Sequence, residues 1–435
     1  MSHSTLPGTG PWSWLEPGLW VYRSRELDLL GQADSLLADA APAARVGGPA
    51  LLEAKRRLHA AGIGAATAPA AVGGGGHRFV VQVAIQFLAG YRDLNLRDAA
   101  HVGHGAVLCH DPEWHGRPEL AAVIRGSLVG LAATEPAGEP DVAAVSTRAI
   151  RTPGGWEITG RKAWVSRVLE ADAFVVFARS PEHLGAFYVP AGSPGLSAMS
   201  AGGPGQAHSA HSAHSAPGAP GVHGVRGVRG VAPTAPTGWS WGELLLERVP
   251  VPNSSVLGAS VGGIAVFRRH FAEYRPLVAA TCLGAAASAV DRWVERVLSS
   301  SDAQSPSGGH RLSDGVVERL GDLRGRVLLA LGGLFTGAAR PGGIDSSWSK
   351  MVKAQAVQTA IEVVRAVEQA MAAGGSPVDE TVRRARRELG AFEEADGAPA
   401  PLLREAGERF VQYSAAILDE ISEPTSTMPR PRLPE

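Results

Sequence analysis

Apolar and polar positions along the chain separate it into helical, strand-rich and helical thirds. Ser24 is placed to cap a helix running from Arg25 to about Ala41, and a second helix is expected over roughly Pro49–Ala61, stopped by Gly62. After the loop ATAPAAVGGGG, an apolar helix is expected from about Phe79 to Tyr91 and another around Pro118–Val129. Between Ala132 and Pro252 the period falls to two. Strands are predicted at Val145–Arg151, Trp156–Thr159, Lys162–Val165, Ala173–Ala178, Gly185–Val189 and Leu244–Glu247, with Thr152–Gly155 as a hairpin turn. Beyond Pro252, long helices are predicted at about Ile264–Leu298, Leu312–Phe335, Ser347–Ala373, Val378–Phe392 and Leu402–Ile421, which together read as a bundle.

The fold class is therefore α+β. Residues 1–23, rich in Pro, Gly and Trp, read as an irregular extension; 24–130 as an N-terminal helical domain; 131–252 as a middle β-domain; and 253–435 as a C-terminal four-helix-type bundle. Inside the β-domain, Ala201–Gly238 (AHSAHSAHS, then GVHGVRGVRG, then PTAPTG) lacks the large apolar residues that offset ordering entropy. It reads as a disordered insertion at a loop tip. Its histidines, His208, His211, His214 and His223, fit repeat expansion better than a specific metal site.

At 435 residues with 45% hydrophobic and 19% charged positions, the chain is long and apolar enough for a sizeable core. A net charge of −1 argues against nucleic acid or an anionic membrane surface as partner. No secretion signal is read at the N-terminus, and the small-residue run Pro276–Val290 is too short to span a membrane. Cys109 and Cys282 sit among small or apolar residues with no CxxC spacing, which fits buried thiols in a reducing cytoplasm.

Candidate chemistry gathers in Leu131–Ser166, which contains LAATEPAGEPD and ends in GRKAWVS. The hydroxyls of Thr134 and Ser166 can hydrogen-bond a polar ring edge, and the Trp164 indole can cover a flat face. These groups suit a large planar cofactor better than a phosphate or a metal. The bland alternative is a plain antiparallel sheet with a buried tryptophan. His101, His104 and His110 lack acidic partners at ligand spacing and are read as pocket-lining rather than metal-binding, and Gly73–Gly76 is not followed by GK[ST], so it is no phosphate loop.

These motifs and their order resemble the acyl-CoA dehydrogenase family over about Leu58 to Arg404. LHAAGIGAATAPAAVGGGG resembles the family's loop before its second helix pair, AATEPAGEPD its TEPxAGSD motif, and ITGRKAWVS its NGxKxWIT/S motif. ELLLERVPVPNSSVLG resembles its exit from the β-domain, and YRPLVAATCLGAAASAVD the first long helix of its bundle. The resemblance implies FAD as cofactor, with Ala132, Thr134, Trp164 and Ser166 at the flavin ring and Gly374 and Gly375 near the nucleotide. The reaction implied is α,β-dehydrogenation of an acyl thioester, in which a carboxylate removes the α-proton and the β-hydrogen leaves as hydride.

By that resemblance the base falls at Asp396, nine residues beyond Arg387 of the Arg387-Glu388 pair and one methylene shorter than the family's glutamate. Glu393 and Glu394 stand nearby. In another branch of the family the base precedes an arginine on the first bundle helix, here Tyr274 before Arg275. A neutral tyrosine is a poor base, and Glu273 points about 100° away. Arg275 resembles an arginine the family places near the acyl pocket, with a packing or salt-bridge role as the alternative, and the resemblance implies that Tyr274 and Arg275 bind substrate.

The departures cluster at the far end of the cofactor. The family's nucleotide-binding arginine falls at Ser300, with Arg296 a turn away; its glutamine is Met371; and the threonine after its base is Ala398. The carrier is expected to be CoA or an acyl carrier protein, the electron acceptor an electron-transfer flavoprotein or oxygen, and the assembly a homodimer or homotetramer. Two other readings compete: an oxygen-activating hydroxylase of the same fold, which needs no carboxylate base, and a non-catalytic or partner-dependent member.

Overall fold

In a computed structural model the described residues are 9–137, 142–200, 237–299, 312–374 and 377–422. The helices are α1 (Pro11–Leu15), α2 (Ser24–Val46), α3 (Gly48–Ala60), α4 (Phe79–Arg92), α5 (Ala106–Cys109), α6 (Pro118–Ile124), α7 (Gly262–Ser299), α8 (Asp314–Ala338), α9 (Ser346–Ala373), α10 (Glu380–Glu394) and α11 (Pro399–Ser422). The strands are β1 (Val129–Ala132), β2 (Arg148–Thr152), β3 (Gly155–Ser166), β4 (Ala173–Arg179), β5 (Leu184–Pro190), β6 (Leu196–Ser200), β7 (Trp241–Pro252) and β8 (Val256–Leu257). They form one sheet in the order β6-β7-β3-β2-β4-β5-β8, with β1 added parallel to β4.

Several local expectations change. Arg23, not Ser24, caps α2, and its backbone N–H donates to Glu26 at 2.8 Å. Helix α6 ends at Ile124, because Gly126 takes a positive φ and the apolar residues after it enter the sheet as β1. The two strands expected on either side of Gly160–Arg161 are one strand, β3, and Gly160 is a point where Thr147 packs too closely for any side chain. The N-terminal stretch is not wholly irregular. Helix α1 buries Trp14 and Leu15, and the Trp14 indole N–H and the Gly10 N–H both donate to Asp291 on α7. The low-complexity insertion, apart from Thr237 and Gly238, lies outside the described residues.

Two helices position the rest. Helix α4 is apolar on nearly every side and correspondingly buried. It crosses α7 where both helices carry glycine: a Cβ on Gly90 would sit 1.9 Å from the Thr281 carbonyl, and one on Gly284 would sit 2.1 Å from that of Phe87. Helix α7 is long and apolar enough to cross a membrane, but 89% of its apolar window is buried against the rest of the protein, as in a core helix. The few polar groups on the α4–α7 seam have fixed partners. Gln82 donates to the Ala100 carbonyl, Gln86 donates to that of Arg97, and Thr281 donates to Gln86. These bonds pin the segment after α4 against the bundle, and that segment carries the site's charges.

Candidate active site

The segment Leu131–Ser166 is built around a buried ion pair between its two motifs. Lys162, fully buried, donates to the Glu135 carboxylate at 3.0 Å and to the Ala133 carbonyl at 3.2 Å. Glu135 also accepts from the backbone N–H and hydroxyl of both Ser146 and Thr147. Burial pushes the Glu135 carboxyl up, but these donors outweigh it and hold the group at about 2. Burial pulls Lys162 down to about 8, with Glu135 opposing. The Glu of TEP and the Lys of GRK thus fasten the exit of β1 to β3, and the Ala163 N–H completes the tie by donating to the Thr134 carbonyl at 2.9 Å.

A bulge turns this fastening into a platform. On β3, Lys162 pairs with Leu244 and Val165 with Gly242, so two residues oppose one on β7. Trp164 sits in that bulge with φ 58, a left-handed conformation that costs an aromatic residue roughly 1–2 kcal/mol. Strain of this kind persists where surrounding contacts over-determine it. Trp164 is half-buried, and Ser166 closes the strand at 8% exposure. The Thr134 and Ser166 hydroxyls have no hydrogen-bond partner among the described residues. Two spare hydroxyls beside a re-aimed indole fit the polar edge and flat face of a planar ring. Ala132 lies within β1, fully buried, and Gly374 ends α9; Gly375 lies outside the described residues.

From Ser166 a network of buried charge runs to Asp396. Arg167 (φ 60, 1% exposed) makes a short ion pair with Asp98, which also accepts from Arg97 at 3.2 Å and from the Tyr274 hydroxyl at 3.0 Å. Burial alone would raise the Asp98 carboxyl; Arg167 and Arg97 hold it well below the usual carboxylate range. Arg97 reaches on to Asp396 Oδ2 at 3.5 Å, and its guanidinium lies over the rings of Tyr274 and Phe392. Arg275 donates from Nε to the Asp396 carbonyl at 2.8 Å and lies over Phe271. The Tyr274 hydroxyl and the Arg275 Nε thus have internal partners, and burial drives the Tyr274 phenol far above its ordinary value. Arg167 Nη2 is buried with no partner.

Arg97, Asp98 and Arg167 carry no motif, and sequence reasoning missed them. For Arg97 and Asp98 the one signal is a charged dipeptide, RD, set among apolar and small residues shortly after the mostly apolar α4, and Arg167 stands directly after Ser166. Lys55 belongs to the same layer. Fully buried, it donates to the carbonyls of Asp98 and His101 and contacts His59 at 2.9 Å; burial pulls it down to about 7. His104 and His270 share a hydrogen bond at 2.9 Å, His270 stacks on Tyr274, and His110 pairs with Glu273 on the rim. Among the described residues no group of three His, Cys, Asp or Glu side chains is arranged to hold a metal. At the expected nucleotide end, Met371 is buried in the bundle core and Ser300 lies outside the described residues.

Residues 130–213 match the family model for the acyl-CoA dehydrogenase middle domain. The chain is similar in structure to a glutaryl-CoA dehydrogenase from Mycobacterium smegmatis, with a TM-score of 0.73 over 92% of this chain and 98% of that one at 19% identity. The chain has the acyl-CoA dehydrogenase fold. The FAD complex of PigA shares it, with a TM-score of 0.72 over 90% of this chain and 98% of that one at 17% identity. Among curated proteins, cyclohex-1-ene-1-carbonyl-CoA dehydrogenase from Geobacter metallireducens is 30% identical over 169 residues, 38% of this chain and 37% of that protein. Benzylmalonyl-CoA dehydrogenase from Aromatoleum aromaticum is 36% identical over 77 residues, 17% of this chain and 20% of that protein. The matched stretches thus span well under two thirds of these curated relatives.

Proposed function

We propose that this protein is an FAD-dependent oxidoreductase that dehydrogenates an acyl thioester. The observation that carries the reading is the unbroken path from the platform to the candidate base. The unpartnered Thr134 and Ser166 hydroxyls flank the bulged Trp164, and contacts through Arg167, Asp98 and Arg97 lead from there to Asp396. The relatives named above, including a protein solved with FAD, support the cofactor.

In this reading the Trp164 indole covers the ring and the two hydroxyls bond its polar edge. Bound flavin supplies the hydride acceptor. Asp396 takes the α-proton, a role that contributes typically about 10²–10⁴-fold. Arg97 steadies its carboxylate. Asp98, with two guanidiniums and a phenol on one carboxylate, is an anchor rather than a base. We further propose CoA or an acyl carrier protein as thioester carrier, an electron-transfer flavoprotein or oxygen as acceptor, a homodimer or homotetramer, and a cytoplasmic location consistent with the buried free thiols Cys109 and Cys282.

The decisive test is the visible spectrum of the purified protein with and without added FAD, followed by anaerobic bleaching with a panel of acyl thioesters. Yellow protein whose bleaching is lost in Asp396→Asn with flavin retained is the expected result. A preparation colourless at saturating FAD would sink the flavoenzyme reading. It would leave a non-catalytic member, a second reading favoured by the buried charge that ties up Asp98, Arg97 and Arg167 between the platform and Asp396. Oxygen consumption indifferent to Asp396→Asn would instead mark an oxygen-activating enzyme.

A further inference from the structure

The turn that carries Asp396 is gripped from two helices. Asp396 has φ 62 and Gly397 φ 115, so two consecutive residues sit in left-handed backbone just past the end of α10. Lys353, on α9 and fully buried, donates to the Glu393 carbonyl at 2.8 Å and also to the Gly397 carbonyl. Arg275, on α7, donates to the carbonyl of Asp396 itself at 2.8 Å. The backbone is therefore fixed before, at and after the aspartate by two cations that approach from different elements.

Lys353 makes no ion pair within 4.0 Å with any described carboxylate, so its ammonium is spent on those two carbonyls. Capping the last turn of α10 explains the bond to Glu393. It does not explain the bond to Gly397, which lies beyond the helix and across the turn from Glu393. Burial pulls Lys353 down to about 8, so holding an ammonium there carries a desolvation cost that the two carbonyl bonds offset in part.

We propose that Lys353, with Arg275, is a positioning residue that fixes the Asp396 carboxylate for α-proton removal. The shorter aspartate side chain gives the reason. A base with one methylene fewer has less reach, so its backbone must be placed more tightly, and a misplacement of about 1 Å can cost 10²-fold in rate.

The inference rests on the proposed dehydrogenation, and its test separates the two. Full-length wild type, Lys353→Met, Arg275→Gln and Asp396→Asn are loaded with FAD and mixed anaerobically with an acyl thioester found to bleach the wild type, with and without α-deuterium. Hydrogen exchange is followed in the peptide covering 392–398. Lys353→Met should keep its flavin spectrum and thioester affinity while bleaching about 100-fold more slowly. Its α-deuterium isotope effect should rise and amide exchange in that peptide should quicken. If Lys353→Met fails to fold, Arg275→Gln, which frees the same turn at a different carbonyl, should show the same pattern. A folded Lys353→Met that bleaches at the wild-type rate while Asp396→Asn is dead overturns the clamp alone. So does a loss that follows thioester affinity instead of the bleaching step. If Asp396→Asn bleaches like the wild type, the base assignment fails and the clamp fails with it.

Discussion

Replacing Asp98 by asparagine tests the charge network most directly. The carboxylate neutralises Arg97 and Arg167 together and accepts from Tyr274, and the side chains of the three charged residues are 8%, 1% and 3% exposed for Arg97, Arg167 and Asp98. Asparagine keeps the shape and leaves two guanidiniums in the interior, with only Asp396 near one of them. Breaking a buried pair by removing one partner costs ~3–5 kcal/mol, because the charge left behind is uncompensated. Against a domain stability of about 5–15 kcal/mol, that should lower the thermal midpoint on the order of 10 °C. Thermal and urea unfolding of the purified variant at pH 7 provide the measurement. Adding Arg167→Met should return part of the loss, since it removes one orphaned charge, and the double variant should fall short of the sum of the singles by at least ~1 kcal/mol. A loss below ~1 kcal/mol for Asp98→Asn, the range of exposed pairs, would refute the reasoning. So would strict additivity of the two substitutions.

Two further outcomes follow from the same geometry. Burial, with repulsion from Lys55, holds His59 and His101 at about 3 instead of 6.5, so the unfolded chain takes up these protons first as pH falls. Their contribution is complete above about pH 7 and shrinks through the window from 6.5 down to 3. It should cost ~2 kcal/mol for each histidine by pH 5, and a urea midpoint unchanged between pH 7 and 5 would contradict it. At the platform, Glu135→Ala should destabilise more than Lys162→Met. The first strands four donors from Ser146 and Thr147 together with a buried ammonium, whereas the second leaves a carboxylate that keeps those four bonds. Melting curves with the reverse order would count against this.

The sequence made the helices legible because each is a long apolar-rich run bounded by charged or turn residues: α4, α7 and α9 fall within a residue or two of that pattern. Strands were less legible wherever glycine served packing instead of turning. Gly160 inside β3 is the clear case, and β1, at the end of an apolar run, looked like the tail of a helix. Thr134, Trp164, Ser166 and Asp396 could be picked out because motifs carry them, although their mutual placement could not. Arg97 and Asp98 stayed hidden because local pattern reads a charged dipeptide as surface, and Arg167 because a lone arginine at a strand end reads the same way. Only the fold shows that Gln86, Lys55 and Tyr274 draw the dipeptide inside. Lys353 was passed over for the same reason: a single lysine on an amphipathic helix carries no sign of the carbonyls it will meet.

The low-complexity stretch returns to the sheet through a junction secured on its own account. Thr237 donates twice to Glu388 on α10, Gly238 donates to Asn95, and the Trp239 indole donates to the Asn95 carbonyl. On the departing side, Ser200 is already paired with Gly242. Both ends are thus moored to different parts of the molecule before the intervening chain contributes anything. Loop-closure entropy grows only by about 0.6 kcal/mol for each doubling of length. The 36 residues between Ser200 and Thr237 can therefore be shortened, lengthened or replaced by a reporter without re-registering β7 or disturbing the platform on β3. A reporter domain inserted between Ser200 and Thr237 is therefore expected to leave the melting curve and the FAD spectrum of the protein unchanged.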